Sequence, residues 1–339
     1  MTAPRLRILY LLREYPQISQ TYIKTELEAV RERYDVKVLS LQVADIAEPR
    51  HLPFQLTPAM DQTLAVIKEF KPRLLHTHYM IMGNVVGALA EAAGLPFTLR
   101  SHSFDVLETE GVRANPEWLG IRDYLSRDNC LGVLCFPFLR ASLEQFGVPK
   151  TKLIDVPPVV AVQRFTDRSP NGRAIMNLGA VRPKKQMQDF VELARQLPER
   201  EFNLYALGYQ TKQLKAYAES RQARINFIPP LSHDAMPAEY KKHEWLVYTA
   251  HPSMKSVGWP MAVAEAQAAG VGVCLADIRP DLKAYVGEAG YLYTDLEKVK
   301  ELISGPVPAA MREAGFEQAK KSDVATHIHK LTDLWDKAV

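Results

Sequence analysis

The chain has 339 residues, of which 47% are hydrophobic and 24% are charged, and its formal net charge is +3 at pH 7. At roughly 150 residues per domain, this length predicts about two globular domains. So small a net charge gives no support to nucleic-acid binding, and no apolar run approaches the ~20 residues that a membrane-spanning helix needs.

Strands and helices alternate along the first part of the chain, in the order that builds parallel sheets with crossover helices. We predict strands at residues 7–12, 36–41, 74–75, 97–100 and 131–136, and helices at residues 23–33, 84–93 and 138–146. Residues 156–159, followed by residues 168–173, are rich in Pro, Gly and polar side chains, which predicts a linker.

The alternation resumes after the linker. We predict strands at residues 174–178, 203–207, 225–228, 245–249 and 271–275, and helices at residues 187–197, 212–219 and 260–269. Residues 322–338 carry an amphipathic helical pattern. These patterns predict two α/β domains, at residues 1–165 and 172–320, and we expect the C-terminal helix (322–339) to pack back on the first domain.

A turn containing Gly258 leads into an Ala-rich helix that begins near Pro260 and ends at Gly270. The N-terminus of a helix offers unpaired N–H groups and the positive end of a dipole, which together suit a phosphate. One turn inside stands Glu265, the lone carboxylate of an otherwise apolar helix. Such a carboxylate is well placed to accept hydrogen bonds from a ribose.

A second loop, residues 177–185, also follows a predicted strand. It contains Gly179, which permits a close backbone approach, and then Arg182, Lys184 and Lys185. Cations here can neutralise a diphosphate and stabilise it as a leaving group. The alternative interpretation is a solvated basic turn.

These two segments resemble the donor site of retaining GT-B glycosyltransferases of family 4. In that family a Glu, seven residues and a second Glu open the helix; Glu265 matches the second Glu, and Val257 stands at the first. The family's Gly-Arg-x-x-x-x-Lys segment, which holds the β-phosphate, is matched by Lys185, with Ala180 at the Arg position and Arg182 two residues on. The resemblance implies a GT-B fold, in which two Rossmann-like α/β domains face each other across a cleft.

The resemblance also implies how the donor binds. The family's first Glu contacts hydroxyls of the donor hexose, so with Val257 there the neighbouring side chains or backbone N–H groups have to replace it. Uracil is expected to meet backbone groups at the turn after the strand at 225–228. The expected donor-binding residues are Arg182, Lys185, Pro229, Leu231, Ser256, Val257, Gly258, Trp259, Pro260, Met261 and Glu265.

Histidines after two strands of the first half give a third signal. His102 and Asp105 lie in a segment similar to the family's His-Gly-x-Asp stretch, with Ser103 in place of the Gly. The resemblance implies that His102 hydrogen-bonds near the reacting centre of the hexose; a lone His in this position is otherwise a structural hydrogen-bonder. His78 resembles part of the family's His-x-His-aromatic segment on the acceptor side.

His76 and His78 also raise the question of a metal, because alternate residues of a strand share one face. No Cys or acidic residue adjoins them in the sequence. We therefore expect no metal site, which agrees with the metal-independent catalysis that the resemblance implies.

A fourth segment follows the first strand. Ser19 or Thr21 can cap the helix that comes next. The segment also resembles the family's Pro-x-x-Ser-Glu-Thr-Phe-Ile opening, with Gln20 in place of the Glu. The resemblance places Ser19, Gln20 and Thr21 on the acceptor side, together with His78 and Asp105.

Together, the four resemblances imply a hexosyltransferase that uses a nucleotide-sugar, a UDP-sugar above all, and transfers the hexose with retention to a saccharide or lipid-linked saccharide. The expected pathway is polysaccharide or glycoconjugate synthesis. UDP is the product, and no cofactor is expected. Two alternatives stay open: an inactive GT-B subunit that acts as a binding partner, and a nucleotide-sugar epimerase using Glu14, Asp105 or Glu108 as its base.

The expected location is the cytoplasm. Three cysteines in apolar runs, without metal-type spacing or a recognisable signal peptide, indicate buried thiols in a reducing compartment. Basic residues near the N-terminus, Arg5, Arg7 and Arg13, leave peripheral contact with an anionic membrane surface open. No nucleic-acid partner is expected.

Overall fold

The computed structural model describes residues 5–107 and 121–338, which form two compact units. The first unit comprises Met1–Val159 together with Val324–Val339, and the second comprises Val160–Asp323. In the described ranges, no helix is long and apolar enough to cross a bilayer.

The first unit contains a seven-stranded parallel sheet in the order β3-β2-β1-β4-β5-β6-β7. Its strands are β1 (Arg7–Tyr15), β2 (Asp35–Val43), β3 (Phe54–Leu56), β4 (Leu74–His78), β5 (Phe97–Arg100), β6 (Cys130–Cys135) and β7 (Leu153–Asp155). Its first helices are α1 (Thr21–Val30), α2 (Met60–Phe70), α3 (Gly83–Ala93) and α4 (Arg140–Gln145).

The second unit contains a six-stranded parallel sheet in the order β10-β9-β8-β11-β12-β13. Its strands are β8 (Ala174–Ala180), β9 (Phe202–Leu207), β10 (Asn226–Ile228), β11 (His243–Tyr248), β12 (Gly272–Ala276) and β13 (Tyr291–Tyr293). Its helices are α5 (Gln188–Gln196), α6 (Thr211–Ser220), α7 (Met236–Tyr240), α8 (Met261–Ala268), α9 (Leu282–Val286), α10 (Leu296–Ser304) and α11 (Ala309–Lys320). The chain then returns to the first unit as α12 (Val324–His327) and α13 (His329–Asp336).

The buried strands explain why the sheets are parallel and covered on both faces. Residues 8–12 of β1 and every residue of β4, β5 and β12 are buried, and strands buried on both faces are typical of parallel sheets with helices on both sides. The predicted α/β class is confirmed.

In both sheets the strand order reverses next to the first strand, between β1 and β4 and between β8 and β11. Ligands of such folds bind outside the carboxyl ends of the strands at this reversal.

Two predictions about helices are wrong. The C-terminal segment forms two helices rather than one, and the β-branched Thr326 and Ile328, which favour helix only weakly, lie beside the break. Neither Ser19 nor Thr21 is the N-cap of α1. The N-cap is Gln20, whose side chain makes no capping hydrogen bond, and Thr21 is already the first helical residue.

Candidate active site

Lys185 lies at the strand-order reversal of the second unit, in the loop after β8. Its ammonium lies 4.6 Å from the centre of the Tyr248 ring and 3.4 Å from the Leu178 carbonyl oxygen. Among the residues that the structure describes, no carboxylate forms an ion pair with it. Burial lowers the pKa of Lys185 to about 8, because a desolvated ammonium is less favourable. The site therefore holds a cation that an anion would stabilise.

The loop after β8 is tied to the loop after β11. The Thr249 hydroxyl donates to the Lys185 carbonyl at 2.6 Å, and the Asn177 amide donates to Thr249 Oγ1 at 3.1 Å. The His251 N–H donates to the Lys184 carbonyl at 2.9 Å. These bonds fix the backbone that carries Lys185.

Gly179 makes room for the Lys185 ammonium. Its φ is +121°, in the left-handed region, and a Cβ at this position would lie 2.3 Å from Lys185 Nζ. The close backbone approach expected of Gly179 is thus an approach to Lys185.

Arg182 lies apart from Lys185. It is exposed, and its guanidinium lies 5.3 Å from the ring centre of Tyr209, which is itself 71% exposed. Arg182 also donates to the Tyr209 hydroxyl at 3.3 Å. Of the two predicted phosphate ligands, only Lys185 is held in place by surrounding groups at the end of the sheet.

Glu265 is buried in α8, where only one of its carboxylate oxygens is satisfied. The Tyr240 hydroxyl donates to Oε2 at 2.8 Å, whereas Oε1 is buried without a hydrogen-bond partner in the described part of the chain. Burial raises the pKa of Glu265 above its ordinary value. An unsatisfied buried acceptor is costly, so Oε1 marks a position where a ligand hydroxyl would be stabilising.

His233 is the nearest basic side chain to that oxygen. Its Nε2 lies 3.9 Å from Glu265 Oε1, which is beyond hydrogen-bonding distance. Arg164 donates to His233 Nδ1 at 2.8 Å, and this bond leaves the ring proton on Nε2, facing Glu265.

The loop before α8 is held by Arg279. Its guanidinium donates to the carbonyls of Lys255, at 2.6 Å, and of Val257, and it forms a bidentate pair with Asp281 at 2.9 and 3.0 Å. Trp259 donates to the same carboxylate at 2.7 Å. Val257 is buried against the core of the second unit, so an apolar core side chain occupies the position of the family's first Glu.

The remaining predicted donor residues lie around this loop and after β10. Ser256 and Pro260 are buried, whereas Gly258, Trp259 and Met261 are half-buried. Pro229 is exposed, and Leu231 packs partly against the core of the second unit. The Tyr285 hydroxyl donates to the Pro260 carbonyl at 2.6 Å, so it holds the backbone at the start of α8.

In the first unit, His102 belongs to a hydrogen-bonded chain of three side chains. His102 Nε2 lies 3.2 Å from His78 Nδ1, and His78 Nε2 lies 3.1 Å from Glu26 Oε1. Glu26 and His78 are fully buried, and His102 is 8% exposed. This series of hydrogen bonds therefore runs from the buried Glu26 to the His102 ring near the surface.

Glu26 is the centre of a larger buried polar group. Arg100 Nε lies 2.9 Å from its Oε2, and the Tyr10 hydroxyl donates to Oε1 at 3.1 Å. His76 Nε2 also lies 3.1 Å from Oε1. Burial opposes ionisation of Glu26, but Arg100 and His78 outweigh it and hold the pKa of Glu26 well below its usual range.

His76 and His78 have an acidic neighbour in the fold, although none adjoins them in the sequence. The fold brings an acidic residue, Glu26, to His76 and His78, and one ligand atom of each lies within 4.8 Å of the others. Glu26 is already engaged by Arg100 and Tyr10 as well as by the two histidines. A metal ion here would have to compete with the Arg100 cation for the same carboxylate.

Asp105 holds the backbone rather than facing outward. It is buried, and its carboxylate accepts the N–H groups of His102, at 2.8 Å, and of Met80, at 2.6 Å. It therefore fixes the segment that presents His102.

Tyr22 and Tyr79 enclose the His102 ring. Their ring centres lie 4.5 and 4.7 Å from that of His102, and their hydroxyls hydrogen-bond to each other. Tyr22 lies beside the predicted acceptor-side residues, of which Ser19 is exposed and Gln20 and Thr21 are half-buried. Glu108, a candidate base for the epimerase alternative, lies outside the described residues.

Sequence reasoning missed Glu26, Arg100 and Tyr22. A signal for Glu26 was present, because helical spacing places it on the same face of α1 as the buried Ile23, Leu27 and Val30. A carboxylate on an apolar helix face needs a buried partner.

Comparison with known proteins finds one family model and several similar structures. Residues 162–304, in the second unit, match the family model described as Glycosyl transferases group 1. The chain is similar to the structure of Anabaena Alr3699/HepE in complex with UDP-glucose, with 14% identity and a TM-score of 0.78 over 98% of this chain and 100% of that one. No curated protein matches the sequence.

Two further structures have the same architecture. Sucrose-phosphate synthase from Thermosynechococcus elongatus is 14% identical, with a TM-score of 0.77 over 98% of each chain. The lipopolysaccharide outer core galactosyltransferase WaaB is 10% identical, with a TM-score of 0.65 over 98% of this chain and 100% of that one. These matches confirm the predicted GT-B fold. The chain is therefore a glycosyltransferase with the GT-B fold, and residues 162–304 carry its group 1 transferase match.

Proposed function

We propose that the chain is a retaining, family 4 hexosyltransferase that uses a UDP-sugar and acts on a saccharide or lipid-linked saccharide in polysaccharide or glycoconjugate synthesis. The observation that carries this proposal is the half-buried Lys185 ammonium, which has no carboxylate partner among the described residues and lies at the strand-order reversal of the second unit. A diphosphate is the anion that such a position suits.

The rest of the donor is assigned from neighbouring groups. The N-terminus of α8 would share the diphosphate with Lys185, and Glu265 Oε1 would accept a ribose hydroxyl. Arg182, which is exposed beside Tyr209, would have to leave that ring to reach a phosphate. The UDP-glucose bound to the structural neighbour HepE supports the choice of a uridine nucleotide.

For the chemical step, we assign His102 to the transferred hexose. In front-face retention, the bond between the anomeric carbon and the phosphate oxygen breaks as the acceptor oxygen attacks from the same side. The acceptor proton passes to the departing phosphate oxygen, so no strong protein base is needed. Lys185 and the α8 N-terminus stabilise the charge that develops on UDP, which makes a metal and a cofactor unnecessary.

An inactive GT-B subunit is the second candidate, and Val257 favours it. The buried Val257 side chain cannot hydrogen-bond a hexose hydroxyl. The epimerase alternative is weakened, because Asp105 already accepts two backbone N–H groups.

Contact with a membrane surface stays a proposal; Arg7 lies 3.7 Å from Asp35, and Arg13 is exposed.

The three functions are separated by incubating the full chain with UDP-glucose, UDP-galactose and UDP-N-acetylglucosamine, with and without saccharide acceptors, and following the mixture by NMR. A transferase releases UDP and forms a glycoside with the donor's anomeric configuration. An epimerase changes the donor sugar, and an inactive subunit changes nothing. An inverted product would contradict retention. In the same assay, the variant Lys185→Met tests the diphosphate assignment, and Lys212→Met, at an exposed position of the same unit, is its matched control.

A further inference from the structure

The hydrogen-bonded chain from Glu26 to His102 determines which nitrogen of His102 carries the proton. Glu26 is ionised, so its Oε1 only accepts, and His78 Nε2 must donate to it across 3.1 Å. Burial lowers the pKa of His78 to about 4, so at neutral pH its Nδ1 is bare and accepts. His102 Nε2 must then be the donor across the 3.2 Å contact.

We propose that Glu26 and His78 are positioning residues that hold His102 as the Nε2–H tautomer and so present its Nδ1 as a hydrogen-bond acceptor. In the described part of the chain, His102 hydrogen-bonds through its backbone N–H, to Asp105, and through Nε2, to His78, and Nδ1 makes no hydrogen bond. Burial and the neighbouring His78 keep the pKa of His102 well below its usual range, so the ring stays neutral. Resting on the proposed function, this means that His102 accepts a hydrogen bond from a hydroxyl of the donor hexose and does not donate one.

The surrounding groups support this direction. Trp335 donates to Thr98 Oγ1 at 3.0 Å, and Thr98 in turn lies 2.7 Å from His76 Nδ1. With the Thr98 hydroxyl proton directed at Nδ1, His76 also turns a protonated Nε2 toward Glu26. Glu26 thus faces only groups that can donate: Tyr10 and His78 hydrogen-bond to it, and His76 and Arg100 lie at ion-pair distance from it.

Glu26→Gln is expected to reverse the direction of the hydrogen bonds from residue 26 through His78 to His102. The Arg100 guanidinium can only donate, so it selects the amide oxygen of the new side chain. The amide NH₂ then faces His78 Nε2, which must become an acceptor, and the His78 proton moves to Nδ1. His102 Nε2 then accepts from His78, and His102 carries its proton on Nδ1. Removing a carboxylate that fixes a histidine tautomer can cost up to about 10⁴-fold in kcat.

The test is a long-range ¹H–¹⁵N correlation spectrum of the histidine-labelled full chain, with the His102 signals assigned by their loss in His102→Gln. We expect Nε2–H in the wild-type chain at pH 7, Nδ1–H in Glu26→Gln, and no change in Glu28→Gln, an exposed position two residues on along α1. With a UDP-sugar, Glu26→Gln should lower kcat at least 10-fold and leave the Kd for UDP within about 2-fold.

A proton on Nδ1 of His102 in the wild-type chain would overturn the proposal, and this measurement needs no variant that might fail to fold. An unchanged His102 tautomer in folded Glu26→Gln would overturn it as well. The His102 tautomer is measured without turnover. If the protein transfers no sugar, the proposed function is wrong, but the tautomer assignment still stands or falls on the NMR measurement.

Discussion

The Tyr240 hydroxyl donates to Oε2 of Glu265 at 2.8 Å, and the other oxygen of this buried carboxylate is left without a hydrogen-bond partner in the described part of the chain. One oxygen is thus held in place while the other is available to a ligand. A hydrogen bond to a charged group contributes about 1.5–3 kcal/mol.

From this arrangement we predict that Glu265→Gln weakens UDP binding by about 10-fold or more but leaves pyrophosphate binding unchanged, because pyrophosphate has no ribose. The unfolding temperature should stay the same or rise, because a buried carboxyl with a raised pKa is destabilising when it ionises. Calorimetric titration with both ligands checks this, and equal losses for the two would remove Glu265 from the ribose.

Gly179→Ala should weaken UDP binding through Lys185. The new Cβ would lie 2.3 Å from Lys185 Nζ and would displace the ammonium, so we expect a loss of about 10-fold or more. Gly208→Ala is the matched control, because Gly208 also has a positive φ, of +87°, but has no atom within 4 Å of the added Cβ. Both variants should lose about 1–3 kcal/mol of stability through backbone strain, and only Gly179→Ala should lose affinity.

His102→Ala should lower kcat by about 10²-fold or more and leave the Kd for UDP nearly unchanged, because His102 is assigned to the hexose and Lys185 and Glu265 to the nucleotide. Steady-state kinetics and a UDP titration of the same preparation separate the two effects. Normal kcat, or failure to bind UDP, would be inconsistent with this assignment.

Transfer should continue in excess EDTA, since Lys185 and the α8 N-terminus stabilise the leaving group. Elemental analysis of the purified chain checks the Glu26, His76 and His78 cluster at the same time, and we expect no stoichiometric metal there. Loss of activity that Mg²⁺ or Mn²⁺ restores would show that the phosphate assignment is wrong.

Sequence reasoning located the parts of the candidate site that depend on local order along the chain. Lys185 and Glu265 each follow a strand and a turn, and such local patterns are readable from spacing. Glu26 and Arg100 are 74 residues apart in the sequence, and their contact depends on how α1 packs over β1, β4 and β5, which no local pattern specifies. The helix at Met60–Phe70 was also not predicted.

Two details of the site depend on tertiary packing in the same way. Arg182 was expected beside the phosphate but lies on the exposed ring of Tyr209, a residue 27 positions away. Asp105 was expected on the acceptor side, and its carboxylate is instead used by the N–H groups of His102 and Met80. A motif gives the residue type, whereas the partner that each side chain selects is set by the fold.

The lowered pKa of Lys185 predicts how stability and UDP affinity depend on pH. The pKa of Lys185 is lowered to about 8, below that of an unfolded lysine. Between pH 8 and the ordinary lysine pKa, the unfolded chain binds more protons than the folded one, so this residue makes the free protein more stable as pH rises. Affinity for UDP should change in the opposite direction and fall from pH 7 to pH 9, because the ammonium is lost; Lys185→Arg should remove this dependence on Lys185.

The most direct test of the central claim is calorimetric titration of UDP into the full chain and into Lys185→Met at pH 7. We predict one UDP site per chain and a loss of about 10–100-fold in affinity for Lys185→Met, the equivalent of about 1.5–3 kcal/mol for a charged hydrogen bond, with Lys212→Met within about 2-fold of the wild type. No UDP binding by the wild-type chain, or equal affinity in Lys185→Met, would contradict the account.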